Sequence, residues 1–513
     1  MTEAAKELKT LFRQASHYGA GRIGVLLLGF VSFPVFTRLF SVADYGVMSL
    51  VLKVVATVAV LAKLGIQNSV LRFYQEHASS KEPSAVRRFF STFLFGTAGI
   101  AALVTLIFVT ITWILPGSLV TKPIKQVFIL ASLYIFTRAM NSILAGFLRV
   151  EERTRSFNVL DVASRALTVV LVCALFYGWQ RNVWSFFAGT VLVDLLLAIG
   201  ITLFIVHRGL LQSGLFDWSL FRGALVFGAP LIVYELGFMI LDSGDRVLVE
   251  HYLGPVQLGY YSVAYNMANY FLDALMVPLN LALFPIYMRL WVKQGKEETQ
   301  MFLSRVFDLF LGISLGLIAT VIVLKHDLIV VLASSKFRAA DSLLPSLLIG
   351  VLFYALVNLV NPGLLIYKKT HTMARLIVYA GVLNIAMNIF LLPRIGLQAA
   401  AIATLVSYLF FFAITMWTSF KLLPYHIEGA ALGRYLLSAA LTTALLYRLD
   451  LGNAFLNVGT KGLLGLLLYV GILYLMDPRL RELAAKLTSS LRQQRAPVAL
   501  SAAEPHPEPV AKD

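Results

Sequence analysis

Residues 235–261 read Glu235-Leu236-Gly237-Phe238-Met239-Ile240-Leu241-Asp242-Ser243-Gly244-Asp245-Arg246-Val247-Leu248-Val249-Glu250-His251-Tyr252-Leu253-Gly254-Pro255-Val256-Gln257-Leu258-Gly259-Tyr260-Tyr261. A hydrophobic segment carries Glu235, Asp242 and the adjacent pair Asp245-Arg246, stops at Leu253-Gly254-Pro255, and a second apolar segment starts at once. Ionisable side chains in a segment apolar enough to span lipid are expensive and tend to mark function. Glycine tolerates the backbone that closes a helix, and proline cannot extend one. Gly259 then lets the next helix start close to its neighbour. The stretch reads as the end of one spanning helix, a tight re-entry turn and the start of another.

The rest of the chain fits that reading. Of its 513 residues 59% are hydrophobic and 14% charged, with mean hydropathy +0.80, where soluble domains carry about 25% charged residues. Such a chain cannot bury its apolar surface in one aqueous fold, so the class is an all-α polytopic membrane protein. Apolar runs of spanning length fall near 18–40, 47–70, 89–115, 124–148, 157–178, 183–206, 223–250, 259–287, 302–332, 342–367, 374–393, 396–420, 430–448 and 459–476. That predicts fourteen transmembrane helices joined by short connections. The first run, behind a polar and basic leader, lacks a small-residue cleavage site and reads as an uncleaved span. The tail from 477 opens with a surface-helix pattern and ends in Ala/Pro/Glu-rich sequence of disordered character. Cys173 is the single cysteine, so no intrachain disulfide can form.

The net charge of +16 raises the question of nucleic acid, but the basic residues sort by loop. Arg72, Lys81, Arg87 and Arg88 sit in one connection, Arg149, Arg153 and Arg155 two connections on, and Arg289, Lys293 and Lys296 later on the same side. The intervening connections are poorer in Lys and Arg. This is the positive-inside pattern, with both termini expected in the cytoplasm, and it accounts for the charge without nucleic acid.

The re-entry turn has an echo. A shift of 213 residues lays Ser41, Gly46 and Ser49 over Gly254, Gly259 and Ser262, and a shift of 217 lays Asn141 over Asn358 and Gly146 over Gly363. Helices one to six and seven to twelve therefore read as two copies of one unit in the same orientation, a parallel repeat. The expected organisation is an N-terminal lobe over 1–210, a C-terminal lobe over 211–425, two further helices over 426–476 and a cytoplasmic tail over 477–513. In the first copy Asp44 falls at the new helix N-terminus, where negative charge is favoured.

These turns also carry a family likeness. Arg38-Leu39-Phe40-Ser41-Val42-Ala43-Asp44-Tyr45-Gly46 resembles the Arg-x-Leu-Gly-x-x-x-(Tyr/Phe)-Gly turn after the first helix of bacterial polysaccharide (O-antigen-type) repeat-unit flippases, in the multidrug/oligosaccharidyl-lipid/polysaccharide exporter superfamily. Asp245-Arg246 with Leu253-Gly254 through Ala264 resembles the segment after helix seven, and Gly228-Ala229-Pro230-Leu231 and Gly396 through Thr404 fit as well. The likeness covers about residues 10–475. Ser41-Val42 departs from the usual Gly-Pro and softens the first motif. The resemblance implies two six-helix lobes in a V around a central cavity that opens alternately to each side. It further implies a cargo of undecaprenyl-pyrophosphate-linked oligosaccharide and a bacterial inner-membrane location.

The charges inside the expected spans divide unequally. The first half carries Arg22, Lys53, Lys63, Arg138, Asp161, Arg165 and Asp194; the second carries Glu235, Asp242, Asp245, Arg246 and Asp273. Arg22, Lys53, Arg138 and Arg165 are candidates to hold a pyrophosphate, Arg by paired hydrogen bonds. Lys53 and Arg138 could instead pair with a carboxylate, and Arg22, near the inner end of its helix, could simply snorkel; Asp161 and Arg165, four apart, can neutralise each other. Lys63 is expected to snorkel to the interface. Asp194, Glu235, Asp242, Asp245, Arg246 and Asp273 are candidates for ion coupling or gating. Glu235 and Asp242 share a helix face and could take up H⁺ or Na⁺, or bridge to the basic half instead. Asp245-Arg246 could equally be a structural latch. The asparagines suit sugar hydroxyls or helix–helix hydrogen bonds.

There is no Walker A motif, no His-Glu-x-x-His and no Cys/His cluster, so neither a cofactor, a metal nor an enzymatic activity is expected. The reading is an alternating-access flippase for lipid-linked oligosaccharide, expected to be a monomer among membrane lipids and to work beside polysaccharide polymerase machinery. A lipid II-type flippase and a multidrug/cation antiporter of the same superfamily are the rivals. The antiporter would have twelve spans and a mainly acidic cavity. A multi-spanning glycosyltransferase or polymerase would need a long external loop, which the sequence lacks. The glycan cannot be read from these residues.

Overall fold

The computed structural model describes residues 24–481, apart from 79–81, 83, 118–121, 152, 213 and 479. Arg22 and most of the tail lie outside the described residues. In chain order the helices are α1 (Gly24–Leu39), α2 (Val42–Lys63), α3 (Ile66–Ala78), α4 (Ala85–Ile114), α5 (Lys122–Val150), α6 (Thr154–Gly178) and α7 (Val183–His207). There follow α8 (Trp218–Lys293), α9 (Gly295–Val323), α10 (Lys325–Leu328), α11 (Leu344–Val360), α12 (Pro362–Ile366), α13 (Thr370–Ile395), α14 (Gln398–Phe420), α15 (Gly429–Tyr447) and α16 (Ala454–Met476). Among the described residues there is no strand.

Twelve helical segments are long and apolar enough to cross a membrane, and the protein is a multi-pass membrane protein. Sequence predicts fourteen, and the difference has two local sources. Of the first expected span, 18–40, only the part from residue 24 on falls among the described residues, as the helix α1 (Gly24–Leu39). The helix α8 consists of two helical arms that meet in a bend at Gly254, where φ 81° and ψ 176° are open to glycine and closed to other residues. Its two arms fold back on each other. The Tyr265 hydroxyl donates to Asp242 and the Tyr261 hydroxyl to Asp245, joining residues from opposite sides of the bend. In a straight helix residues 242 and 265 would stand about 34 Å apart.

Other boundaries also depart from the hydropathy reading. The second span ends at Lys63 rather than near 70, because Leu64 and Gly65 both take positive φ (46° and 67°) and turn the chain into α3. The span expected over 302–332 stops at Val323. Residues 324–343 form a crossover of α10, a π turn over Ile329–Ala333 and a 3-10 helix over Ser335–Ser342. Within it His326 is paired with Asp341.

Ser41 starts α2 as its N-cap: its hydroxyl accepts the Asp44 N–H at 3.0 Å and donates to the Asp44 carboxylate at 2.7 Å. A negative charge in the first turn suits the helix dipole. The α1–α2 turn meets the 324–343 crossover. Arg38 donates to the carbonyls of Val331 (2.6 Å) and Leu332 (3.3 Å), Lys336 donates to those of Arg38 and Phe40, and the Tyr45 and Phe337 rings meet edge to face.

Helices α4 to α7, with α2, pack among themselves, as do α8, α11, α13 and α14, while α15 and α16 lie against α9. The main junction between the first seven helices and the rest is α2 against α8. At one end of this seam the backbones touch. A Cβ on Gly46 would stand 2.2 Å from the Pro255 carbonyl oxygen, and one on Gly259 would stand 2.1 Å from that of Val42. The turns that the 213-residue shift superposes therefore lie against one another. At the other end Gly65 meets Gly228, where a Cβ on Gly228 would fall 2.4 Å from the Leu64 carbonyl oxygen. The seam is closed at both ends.

Candidate substrate cavity and the seam beside it

A cavity of about 680 Å³ lies among α1, α2, α5, α6 and α7, with Met239 of α8 reaching its wall. Stripes at helical spacing build it. Lys53, Ala56, Val60 and Lys63 line it from α2, and Arg138, Asn141, Ala145 and Arg149 from α5. These i, i+3, i+7 series are what one face of a helix presents. The helix α6 adds Asp161 and Arg165, and α7 adds Asp194. Five basic and two acidic side chains therefore line the cavity.

The cations are held in different ways. The Arg138 guanidinium lies over the Tyr134 ring, 4.9 Å from its centroid. Arg149 lies 4.5 Å over Phe157. Arg165 reaches Asp161 at 3.3 Å along one face of α6, the pairing its spacing allows. The Asn141 amide donates to the Asp194 backbone carbonyl at 3.0 Å, while Asn141 Oδ1 and Asp194 Oδ2 are buried without a hydrogen-bond partner. Buried polar atoms are ordinarily satisfied, so these two mark a place for a polar group inside the cavity.

Two lysines of α2 turn from the cavity wall to α8. Lys53 Nζ is 2.5 Å from Asp242 Oδ2, and Lys63 Nζ is 3.5 Å from Glu235 Oε1. Asp242 has further partners. Tyr265 donates to its Oδ1 at 2.9 Å, and Ser243 donates to its Oδ2 at 2.9 Å. The hydroxyls of Tyr265 and Tyr408 are 2.5 Å apart; since the Tyr265 proton goes to the carboxylate, Tyr408 is the donor between them.

Behind Asp242 lies a dry knot. Asp245 and Arg246 are both 0% exposed and 3.6 Å apart. Arg246 donates to the Asp242 backbone carbonyl at 2.7 Å and stacks over the Tyr265 ring at 4.4 Å. Asp245 accepts from Tyr261 and, at 3.2 Å, from Thr404 of α14. The latch reading of this pair is the one its geometry fits: neither side chain faces the cavity.

Of the residues picked from sequence, Lys53, Arg138, Arg165 and Asp194 come together at the cavity. Glu235 and Asp242 stand at the seam, Asp245 and Arg246 are walled off, and Asp273, on the second arm of α8, is exposed outside the cavity lining. The expectation that Lys63 snorkels is corrected, because it lines the cavity and pairs with Glu235. Arg149, read as a loop residue, is also in the wall. Both were visible as members of their stripes.

Comparison with known proteins adds the family. Residues 35–341, more than half of the chain, match the family described as polysaccharide biosynthesis protein. The chain belongs to that family. An uncharacterized membrane protein of Methanocaldococcus jannaschii is 23% identical over 294 residues. That match spans only 56% of this chain and 56% of the other. Among solved structures, the lipid II flippase MurJ in an inward closed conformation superposes with TM-score 0.72 at 14% identity, over 90% of this chain and 99% of that one. An inward-facing multidrug resistance MATE family transporter of the MOP superfamily gives 0.56 at 13% identity, over 80% and 94%. The Vibrio cholerae MATE transporter VcmN gives 0.53 at 14% identity, over 82% and 98%. The family member thus has the fold of MOP-superfamily flippases and transporters, the superfamily that the two turns resemble.

Proposed function

We propose that the protein is a flippase that moves undecaprenyl-pyrophosphate-linked oligosaccharide repeat units across the bacterial inner membrane by alternating access. The observation that carries the proposal is the cavity wall, with five basic side chains against two acidic ones within apolar helices. A charge in a spanning segment is unfavourable by about 2.5–3.5 kcal/mol unless it faces a partner or a polar cavity. Lys53, Lys63 and Arg165 are balanced by Asp242, Glu235 and Asp161 in this structure, and an anionic head group is the ligand to which such a wall can transfer them. Arg138 and Arg165 offer planar donors for phosphate oxygens, and the unpartnered Asn141 Oδ1 suits a sugar hydroxyl. The isoprenoid tail stays in the bilayer.

In this proposal residues 1–210 and 211–425 are the two moving lobes, both termini are cytoplasmic, and the protein works as a monomer beside a polysaccharide polymerase, with no cofactor. The family description supports the pathway, and the mainly basic lining speaks against a multidrug/cation antiporter, whose cavity would be mainly acidic. A lipid II cargo shares the same pyrophosphate and is separated by its sugar. For coupling to H⁺ or Na⁺, the occupied oxygens of Asp242 favour a bridging role for that residue; Glu235, with its longer pair, is the better candidate to take up an ion.

The test is reconstitution. Proteoliposomes loaded with a fluorescent undecaprenyl-pyrophosphate oligosaccharide should show protein-dependent transfer between leaflets, abolished by Arg138→Met. Transfer no faster than in protein-free vesicles, with folded protein present, would sink the proposal.

A further inference from the structure

Lys53 and Lys63 have two faces. Both line the cavity, and both reach across the seam to a carboxylate of α8. The Lys53 side chain keeps 31% of its surface exposed while Asp242 keeps 12%, so the lysine is the member of the pair that a molecule in the cavity can reach. A lysine head on its flexible four-carbon stem swings between partners with little rearrangement.

Asp242 is built to be left behind. Without Lys53 it still accepts from Tyr265 and Ser243, and Arg246 sits against its backbone carbonyl and beneath the Tyr265 ring. Losing one partner of a buried ion pair is strongly unfavourable when the remaining charge is stranded. Here two hydroxyls stay on the carboxylate, and Arg246, which pairs with Asp245, stands close by, so the departure of Lys53 leaves Asp242 with hydrogen bonds and a nearby positive charge. Ten residues along α2, the Lys63–Glu235 pair is longer, with 29% of the Glu235 side chain exposed.

We propose that an anionic head group entering the cavity takes Lys53, and then Lys63, away from Asp242 and Glu235, so that cargo binding itself unfastens the α2–α8 seam. The α8 carboxylates act as internal competitors for the cargo-binding lysines. They keep the empty protein shut and set the threshold at which cargo opens it. This rests on the anionic-cargo reading above and adds to it the means by which occupancy is sensed.

Competition has a signature that neither a structural bridge nor a general field would give. The full-length protein in nanodiscs is titrated with geranyl pyrophosphate. Asp242→Asn should tighten binding roughly three- to tenfold, because Lys53 is freed. Lys53→Met should weaken it, and Lys53→Met with Asp242→Asn should match Lys53→Met alone. In parallel, spin labels at Ala78→Cys and Arg222→Cys, in a Cys173→Ser background, should report a longer α3–α8 distance on adding geranyl pyrophosphate, and no change in Lys53→Met. If Asp242→Asn fails to fold, Glu235→Gln makes the same prediction through Lys63. Unchanged or weaker binding in the carboxylate variants overturns the competition but leaves the anionic-cargo reading standing. So does tightening that persists without Lys53, which would mean a long-range field. No binding of geranyl pyrophosphate to the folded wild type overturns both.

Discussion

Arg138 and Arg246 are both arginines inside apolar helices, and the structure uses them in opposite ways. Arg138 sits on the wall of a cavity with an aromatic ring beneath it. Arg246 is fully enclosed, with one carboxylate beside it, a carbonyl in hydrogen-bond contact and two tyrosine rings against it. The first lies on an open wall where a ligand can reach it, and the second is shut in by partners that the fold supplies. A charged residue in a spanning helix is therefore not in itself a sign of ligand binding. What separates the two cases is whether the side chain stays open to a cavity or is enclosed by its partners.

The largest effect should come from breaking the enclosed case. Arg246→Met leaves Asp245 buried without its cation, a loss of about 3–5 kcal/mol, read as a collapse of yield or a large fall in the thermal unfolding midpoint. Adding Asp245→Asn should recover part of it. Were Arg246→Met to unfold no earlier than Arg138→Met, the contrast would fail. Next is the seam that joins the two regions. Gly46→Ala places a methyl group where the Pro255 carbonyl stands, and overpacking of that kind destabilises by about 1–3 kcal/mol. Thermal unfolding checks the size, and a longer distance between labels on α2 and α8 checks the cause.

Arg138→Met should leave unfolding nearly unchanged while weakening geranyl pyrophosphate binding by roughly tenfold, the range of one charge-assisted hydrogen-bond pair. Arg138→Lys should restore only part, because a point charge replaces a planar fork. The smallest effect belongs to neither region and calibrates the scale. Asp217 caps α8 through the backbone N–H groups of Ser219 and Leu220. Asp217→Ala should destabilise by about 1 kcal/mol. The Ser219 hydroxyl, followed by the Leu220 and Ser219 N–H groups, holds the Asp217 carboxyl below its ordinary value of 3.8. Its contribution is thus complete above that pH and lost only as the pH falls through the lowered value. Unfolding midpoints of wild type and variant should converge there and nowhere above.

Much of the fold could be read from the chain because hydropathy and turn residues report on local physics. The apolar runs, the re-entry at Gly254 and the cap at Ser41–Asp44 needed no knowledge of neighbours. The break after Lys63 was missed because apolar Leu64 takes a left-handed backbone that composition does not reveal. The crossover over 324–343 was missed because Ile329-Val330-Val331-Leu332 resume the apolar run after Lys325-His326-Asp327, and hydropathy bridged the charged break. In the site, periodicity gave the direction a side chain takes from its own helix and nothing about what stands opposite. Asp242 and Asp245 are three residues apart, about 60° around the axis. That small rotation is enough to put one at the seam and the other in the knot. Lys63 was misjudged for the same reason: its depth suggested the interface, while its stripe, shared with Lys53, led to the cavity.

The contact between Gly46 and Gly259 carries one more consequence. The residues hold the same place in the two copies of the turn, and they touch. If both halves descend from one six-helix unit, the ancestor would have met its twin as a symmetric pair, in which a residue on the axis meets itself. A single change there would have altered both sides of the contact at once. Fusion into one gene would have made each glycine separately mutable, and in this structure each is still pressed against the backbone of the other's turn. The two turns would then be the part of the ancestral dimer least free to drift apart.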